Sequence, residues 1–286
     1  MQTVKIKSII RATTSRWKNE GESVAFVPTM GNLHEGHLKL VDVARQHASK
    51  VVVSIYVNPT QFDEGEDVDN YPRTLERDSA MLAERGVDLL FAPDSEEMLV
   101  QDSKHATRVE IPNLSNILCG VSRPRHFVGV TTIVAKFFNI VQPDLAVFGE
   151  KDFQQLFLIR KMVADLDFPI KILGVPTMRE SDGLAMSSRN GYLDDAQRVL
   201  ARHLYQCLQE LSSRIEKGER DYAKLEEDAV KYLENNAIVA DYVSIRRVDD
   251  LQSAAPDDVE LVILAAVKLG KARLIDNIII QLSGTI

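Results

Sequence analysis

The sequence predicts an α/β protein, a parallel sheet with crossover helices followed by a smaller C-terminal α+β unit. Three observations lead there. Between Val24 and Pro176 short apolar runs alternate with stretches of helical period, the signature of repeated βα units. Beyond residue 190 two long charged helical stretches follow each other directly. Strand-like runs close the chain, two of them joined by a short link that contains glycine. The expected division is 1–176 for the larger unit and 177–286 for the smaller.

Taken in order, Val24–Val27 and Val51–Val57 are dense in β-branched residues, and Leu89–Phe91, Leu145–Phe148 and Ile170–Val175 are short apolar runs. Uninterrupted apolar character suits strands covered on both faces. Helices are expected at Leu38–His47, Thr74–Arg85, Gly129–Val141 and Phe153–Leu166, where apolar residues recur three and four apart. In the second unit the helices are Asp195–Lys217 and Tyr222–Asn235, and the strands Tyr242–Ile245, Leu261–Val267 and Arg273–Ile280. The link Lys268-Leu269-Gly270-Lys271 predicts a hairpin, because its glycine can take the positive φ of a tight turn.

The chain of 286 residues is 45% hydrophobic, enough for a real core in each unit. Its net charge of −8 speaks against an extended nucleic-acid surface, which needs clustered lysine and arginine, but not against a local cationic site. No apolar run reaches the roughly 20 residues of a membrane span, and the opening MQTVKIKSIIRATTSRW has no signal-peptide core, so the expectation is a cytoplasmic protein with no membrane partner. Cys119 and Cys207 have no metal-ligand spacing around them and are expected as single buried thiols.

Ligands of open parallel sheets gather beyond the carboxyl ends of strands, so the residues after each strand matter most. The first predicted strand runs into Gly31-Asn32-Leu33-His34-Glu35-Gly36-His37 and a helix. The glycines permit close backbone approach, the helix start offers free N–H groups, and His34 and His37 share one face as donors to phosphoryl oxygens. The spacing of HEGH is wrong for a zinc-binding HExxH helix. The second strand ends in Asn58-Pro59-Thr60-Gln61-Phe62, where two amides can both donate and accept. After Leu145–Phe148 come Gly149-Glu150-Lys151-Asp152-Phe153-Gln154-Gln155, with Lys151 near a helix start. The last strand leads to Met178 and then to Met186-Ser187-Ser188-Arg189, a donor cluster suited to phosphate.

The stretches FVPTMGNLHEGHLKLVDVA, YVNPTQFDEGEDVDNYPRTLERD, FGEKDFQQLFLIRKM and MSSRNGYL resemble, in order and spacing, the pantothenate synthetase family, over nearly the whole chain. HEGH is similar to the HIGH motif of nucleotidyltransferases and class I aminoacyl-tRNA synthetases, and MSSR to their mobile KMSKS loop. The resemblance implies a Rossmann-like larger domain and a C-terminal lid. It implies an ATP-dependent ligase that forms pantoyl adenylate and then pantothenate from β-alanine, releasing pyrophosphate and AMP. It further implies that His34, His37 and Lys151 act on the phosphates, and that Met30, Gly31, Asn32, Leu33, Glu35, Gly36, Gly149, Glu150 and Asp152 line the ATP site. Met178 would pack by the adenine, Met186, Ser187, Ser188 and Arg189 would cover the triphosphate, and Gln61, Gln155, Asn58 and Met30 would hold the organic acid. Mg²⁺ would be carried by ATP oxygens and water, with Glu76 and Asp78 left uncommitted, and the protein would be a homodimer.

One departure stands out: Arg123-Pro124-Arg125-His126-Phe127 has arginine where the family usually has glycine, which puts the shape of that loop in question. Gln281 to Ile286 carry no assigned role. Two other readings share the phosphate-facing residues: a transferase that stops at a stable dinucleotide, and a non-catalytic nucleotide sensor.

Overall fold

The computed structural model describes residues 1–63, 68, 71–99 and 105–282. Within the motif that begins at Tyr56, residues 64–67 and 69–70 lie outside the described residues, as do 283–286 of the final segment. The chain separates into two compact units, Met1–Pro176 and Thr177–Ile286.

In the first unit the described residues form six strands: β1 (Gln2–Val4), β2 (Val24–Thr29), β3 (Lys50–Ile55), β4 (Leu89–Phe91), β5 (Leu145–Gly149) and β6 (Lys171–Val175). All pairings are parallel, and the spatial order is β1-β4-β3-β2-β5-β6. The helices are α1 (Lys7–Asn19), α2 (Glu35–His47), α3 (Leu75–Glu84), α4 (Ser95–Met98), α5 (Cys119–Ser122), α6 (His126–Val141) and α7 (Phe153–Asp165). The fold is a Rossmann-like parallel sheet, as the alternation of runs predicts.

Side-chain alternation along β2 divides the core. Ala25 and Val27 pack with Leu38, Val41 and Ala44 of α2, while the Phe26 ring lies 5.5 Å from that of Phe137 on α6. Both faces are buried, which is why the strand reads as an unbroken apolar run. Among the elements that escape the sequence reading are β1 and α1, beside the one-turn helices α4 and α5. A three-residue strand has too little length for a period to register, and Ile9, Ile10, Thr13 and Thr14 give α1 a β-branched character that masks its helical stripe.

Proline sits inside this central strand. Val24 O accepts from Asp144 N on the β5 side and Thr29 O from Tyr56 N on the β3 side, so the main chain of Pro28 faces β5. Proline has no N–H to offer there. The β2–β5 ladder accordingly runs only through Ala25↔Leu145 and Phe26↔Ala146, whereas β2 and β3 pair all the way to Thr29↔Ile55. β2 and β5 therefore part at their carboxyl ends.

The second unit packs α8 (Asp195–Glu216) and α9 (Tyr222–Asn235) on an antiparallel sheet of β7 (Val239–Arg247), β8 (Glu260–Leu269) and β9 (Ala272–Gln281), in the order β7-β8-β9. Leu204, Leu208, Leu211 and Ile215 of α8 and Leu225 and Leu233 of α9 meet Leu261, Ile263, Ala265 and Val267 of β8 in one core. Asp194 and Gln197 form a capping box at the start of α8. The predicted hairpin is present, closed by Gly270 and Lys271 with Gly270 at φ +57. Gln281 completes β9 opposite Glu260, which gives the start of the final segment a structural place.

Candidate functional site

β2 is followed in space by β3 and β4 on one side and by β5 and β6 on the other, so the strand order reverses between β2 and β5. That reversal is where open α/β sheets bind ligands, and the parting beside Pro28 widens it. Three strand ends bring candidate residues to it: Met30 to His37 after β2, Asn58 to Gln61 after β3 and Gly149 to Asp152 after β5.

The loop after β2 is held from below by α3. Gly31 and Asn32 both have positive φ, +85 and +50, and a Cβ on Gly31 would lie 3.0 Å from Ile55 Cγ2 and 3.2 Å from Asp78 Oδ2. The fully buried Asp78 accepts from Asn32 N at 2.8 Å, Leu33 N at 3.0 Å and Thr74 Oγ1 at 3.0 Å. Arg77 donates to Leu33 O at 2.7 Å. Asp78 is thus committed to two backbone N–H groups and the Thr74 hydroxyl, and Glu76 is exposed. Leu33 points its side chain into the core, and Glu35 turns outward to an ion pair with Arg85 at 2.9 Å, so these two offer the site their main chain only.

His34 and His37 cap the helix that they begin. Gly36 N donates to His34 Nδ1 at 3.2 Å and His34 N to His37 Nδ1 at 3.4 Å, a capping box built of two imidazoles with ring centroids 4.1 Å apart. Since each Nδ1 accepts, the neutral ring carries its proton on Nε2, and both histidines present an N–H donor away from the helix. Burial, reinforced by the Lys151 charge, lowers the pKa of His34 to about 4. Burial, then His34 and Lys151, brings that of His37 to about 3. Both rings are neutral donors near pH 7.

At the end of β3, Asn58 and Gln61 are buried. Asn58 Nδ2 donates to Gln61 Oε1 and to Gly129 O, both at 3.2 Å, and its Oδ1 accepts from Thr60 Oγ1 at 2.8 Å. Gln61 Nε2 reaches Met30 Sδ at 3.0 Å, joining the β3 end to the β2 end. Gly129 of α6 lies directly against this turn: a Cβ there would stand 2.4 Å from Thr60 O and 2.7 Å from Gln61 Cα. Glycine is required by close backbone approach, not by φ.

At the end of β5, Gly149 has open space around its Cα, and Lys151 follows on a 3₁₀ turn, largely enclosed and 3.9 Å from Asp152 Oδ1. Glu150 lies over Gly174 of β6. The two glutamines that follow have different tasks. Gln154 is buried, donating to Leu114 O and Ile117 O and accepting from Cys119 N, which fixes the 114–119 loop. Gln155 is half-buried, one residue round the helix.

In the second unit Met178 and Met186 stand opposite each other, Met186 N donating to Met178 O at 2.9 Å across a turn that includes Gly183 at φ +93. Arg179 anchors this turn by a two-pronged pair with the buried Asp276 at 2.6 and 3.0 Å, and it stacks 3.6 Å above the Tyr205 ring. Ser187 Oγ accepts from Arg189 N at 3.3 Å and starts the short helical turn that carries Ser188 and Arg189.

Arg125 resolves the sequence departure. It stands at φ −95, an ordinary helical value, so the position requires no glycine, and its Nε pairs with Asp63 Oδ1 at 3.1 Å. Arg77, Gly129, Arg123 and His126 join the site without having been singled out for it from sequence, and Asp78, raised there only as an uncommitted aid to Mg²⁺, joins it by holding the loop after β2. A carboxylate at the buried phase of an amphipathic helix, one turn before Leu82, is the signal that marks Asp78.

A parallel α/β sheet with paired imidazole donors and a lysine at its reversal point defines a class of proteins that handle phosphorylated ligands. Within it, the chain belongs to the pantoate–β-alanine ligase family, whose model matches residues 2–279. It is 53% identical over 285 residues to the pantothenate synthetase of Methylococcus capsulatus, covering 100% of both chains, and 53% identical over 282 residues to that of Pseudomonas fluorescens, covering 99% of both. The crystal structure of the pantothenate synthetase from Thermus thermophilus superposes with a TM-score of 0.90 at 45% identity, covering 97% of this chain and 99% of that one. The pantoate–β-alanine ligase of Francisella tularensis, complexed with beta-gamma ATP and β-alanine, superposes with a TM-score of 0.81 at 33% identity over 97% of each chain.

Proposed function

We propose that the chain joins pantoate to β-alanine at the expense of ATP, in two steps. A pantoate carboxylate oxygen attacks the α-phosphorus and pyrophosphate leaves, forming pantoyl adenylate. The β-alanine amine then attacks the acyl carbon, loses a proton and expels AMP as the amide forms. The observation that carries this reading is the meeting of two neutral imidazoles with Lys151 beside the gap between β2 and β5, next to a glutamine on the turn after β3. A carboxylate is already a nucleophile, so the protein's part is to orient reactants and to stabilise charge on phosphate.

In this reading Nε2–H of His34 and of His37 donates to phosphate oxygens, and Lys151 adds a positive charge. His37 acts by hydrogen bonding and charge stabilisation more than as a proton donor, because pyrophosphate is a good leaving group that needs little protonation. The main chain of Gly31 to Gly36 and of Gly149 to Asp152 approaches the nucleotide. We assign Met178 to the adenine and Met186 to Arg189 to the triphosphate on the family likeness. Gln61, Gln155, Asn58 and Met30 take pantoate, amides meeting its hydroxyls and carboxylate. Magnesium would travel on the ATP oxygens, where it neutralises phosphate charge, since hard cations seek oxygen and the Asp78 carboxylate is engaged by backbone N–H groups.

We also assign the protein to the cytoplasm as a homodimer, as the family likeness implies; light scattering tests the dimer. Among the described residues no helix is long and apolar enough to cross a membrane. The deciding assay combines ATP, Mg²⁺ and pantoate with and without β-alanine, following pyrophosphate and AMP separately. Pantoate-dependent pyrophosphate, with AMP and pantothenate released only when β-alanine is present, supports the two steps. Absence of pantoate-dependent pyrophosphate while ATP binds rejects them.

A further inference from the structure

We propose that Arg123-Pro124-Arg125-His126, at the start of α6, is a clasp that positions Gln61 for the organic acid, with His126 and Arg123 as its positioning residues. The proposal rests on the assignment of Gln61 to pantoate.

The clasp acts on the main chain of Gln61. Its carbonyl oxygen accepts from His126 Nδ1 at 2.9 Å and from Arg123 Nη2 at 3.3 Å, so both lone pairs are used. Arg123 is 8% exposed, and a guanidinium is seldom brought that far from water without such a role. Arg125 Nε pairs with Asp63 Oδ1 two residues further on, extending the grip past Phe62. The same helix also reaches the Gln61 side chain, because Gly129 O and Gln61 Oε1 share the two N–H donors of Asn58.

The consequence is an amide held at both ends. Gln61 Oε1 takes one bond from Asn58 and Nε2 gives one to Met30, which leaves a second lone pair and a second N–H for a ligand. One acceptor and one donor at fixed positions suit a hydroxy acid. Their placement depends on the Gln61 backbone, and an error of about 1 Å in such a contact can cost about a hundredfold in rate.

The chemistry is specific to one ring nitrogen. A carbonyl can only accept, so His126 donates from Nδ1. Asparagine can place an N–H near that position, whereas glutamine places it near Nε2. We expect H126A and H126Q to raise the pantoate KM by about tenfold, the worth of one well-placed hydrogen bond, and H126N to recover most of that loss. The ATP KM should stay unchanged in all three, measured by initial rates of pyrophosphate release, with Tm recorded as the check on folding. Equal effects of H126N and H126Q, or ATP and pantoate KM rising together, would overturn the clasp, since a merely structural residue does not distinguish ring positions or substrates. Q61A separates the two layers of the argument. An unchanged pantoate KM in Q61A removes the underlying assignment, while a raised KM in Q61A beside a flat His126 series removes the clasp alone.

Discussion

Replacing Gly129 by alanine tests whether the close approach of α6 is required. The added methyl would stand 2.4 Å from Thr60 O, 2.6 Å from Thr60 C and 2.7 Å from Gln61 Cα. The first distance is about 1 Å short of ordinary contact, and the neighbours are backbone, so no side chain can swing aside. Alanine gains about 1 kcal/mol over glycine inside a helix. Overpacking of this kind costs about 1–3 kcal/mol, at the upper end where backbone must move. We therefore expect a net loss of about 1–2 kcal/mol and a fall in Tm of about 2–4 °C. Displacement of Gln61 should raise the pantoate KM more than the ATP KM. Thermal denaturation and initial-rate kinetics on the same preparation measure both. A variant as stable as the parent with unchanged pantoate kinetics would refute the reasoning, because it would mean that the 59–61 turn yields freely.

Lys151→Ala should reduce pantoate-dependent pyrophosphate release by at least about a hundredfold, as expected when a charge on the transferring phosphate is lost, while denaturation curves stay near those of the parent. Asp78→Ala removes the acceptor of Asn32 N, Leu33 N and Thr74 Oγ1, and should cost about 3 kcal/mol in urea unfolding; a loss under about 0.5 kcal/mol would show the loop to be held otherwise. His34 and His37 give stability a definite pH dependence. Their folded-state pKa values, about 4 and about 3, lie below the ordinary 6.5, so the unfolded chain binds more protons in between. Stability should therefore be full above pH 6.5 and decline as pH falls towards 3, and a variant lacking both rings should show a flatter decline in the same buffers.

How much of this was legible in the sequence depends on whether a residue acts locally. His34 and His37 follow a strand and open a helix, so their partnership needs only three residues of spacing to be read. Lys151 and Gln61 were readable as strand-end residues for the same reason. Asp78 acts on Asn32 across 46 residues and Gly129 on Thr60 from a different crossover, and neither pairing leaves a trace in local period. The two glutamines of FQQL are alike in sequence, and only packing assigns Gln154 to the 114–119 loop. Arg125 shows the limit of pattern matching: a missing glycine matters where φ is positive or backbone packs against it, and here φ is −95 and the side chain reaches outward to Asp63.

Pro28 bears on inhibitor design. By the register Phe26↔Ala146, the N–H that Pro28 lacks is the one that Val147 O of β5 would accept. A small molecule that hydrogen-bonds main chain at this strand end reads atoms common to every amino acid. Side-chain substitution leaves such a contact in place, which narrows the routes to resistance. The obvious escape, exchanging Pro28 for a residue with an N–H, would restore a partner for β5 and draw together the strands that part beside the candidate site.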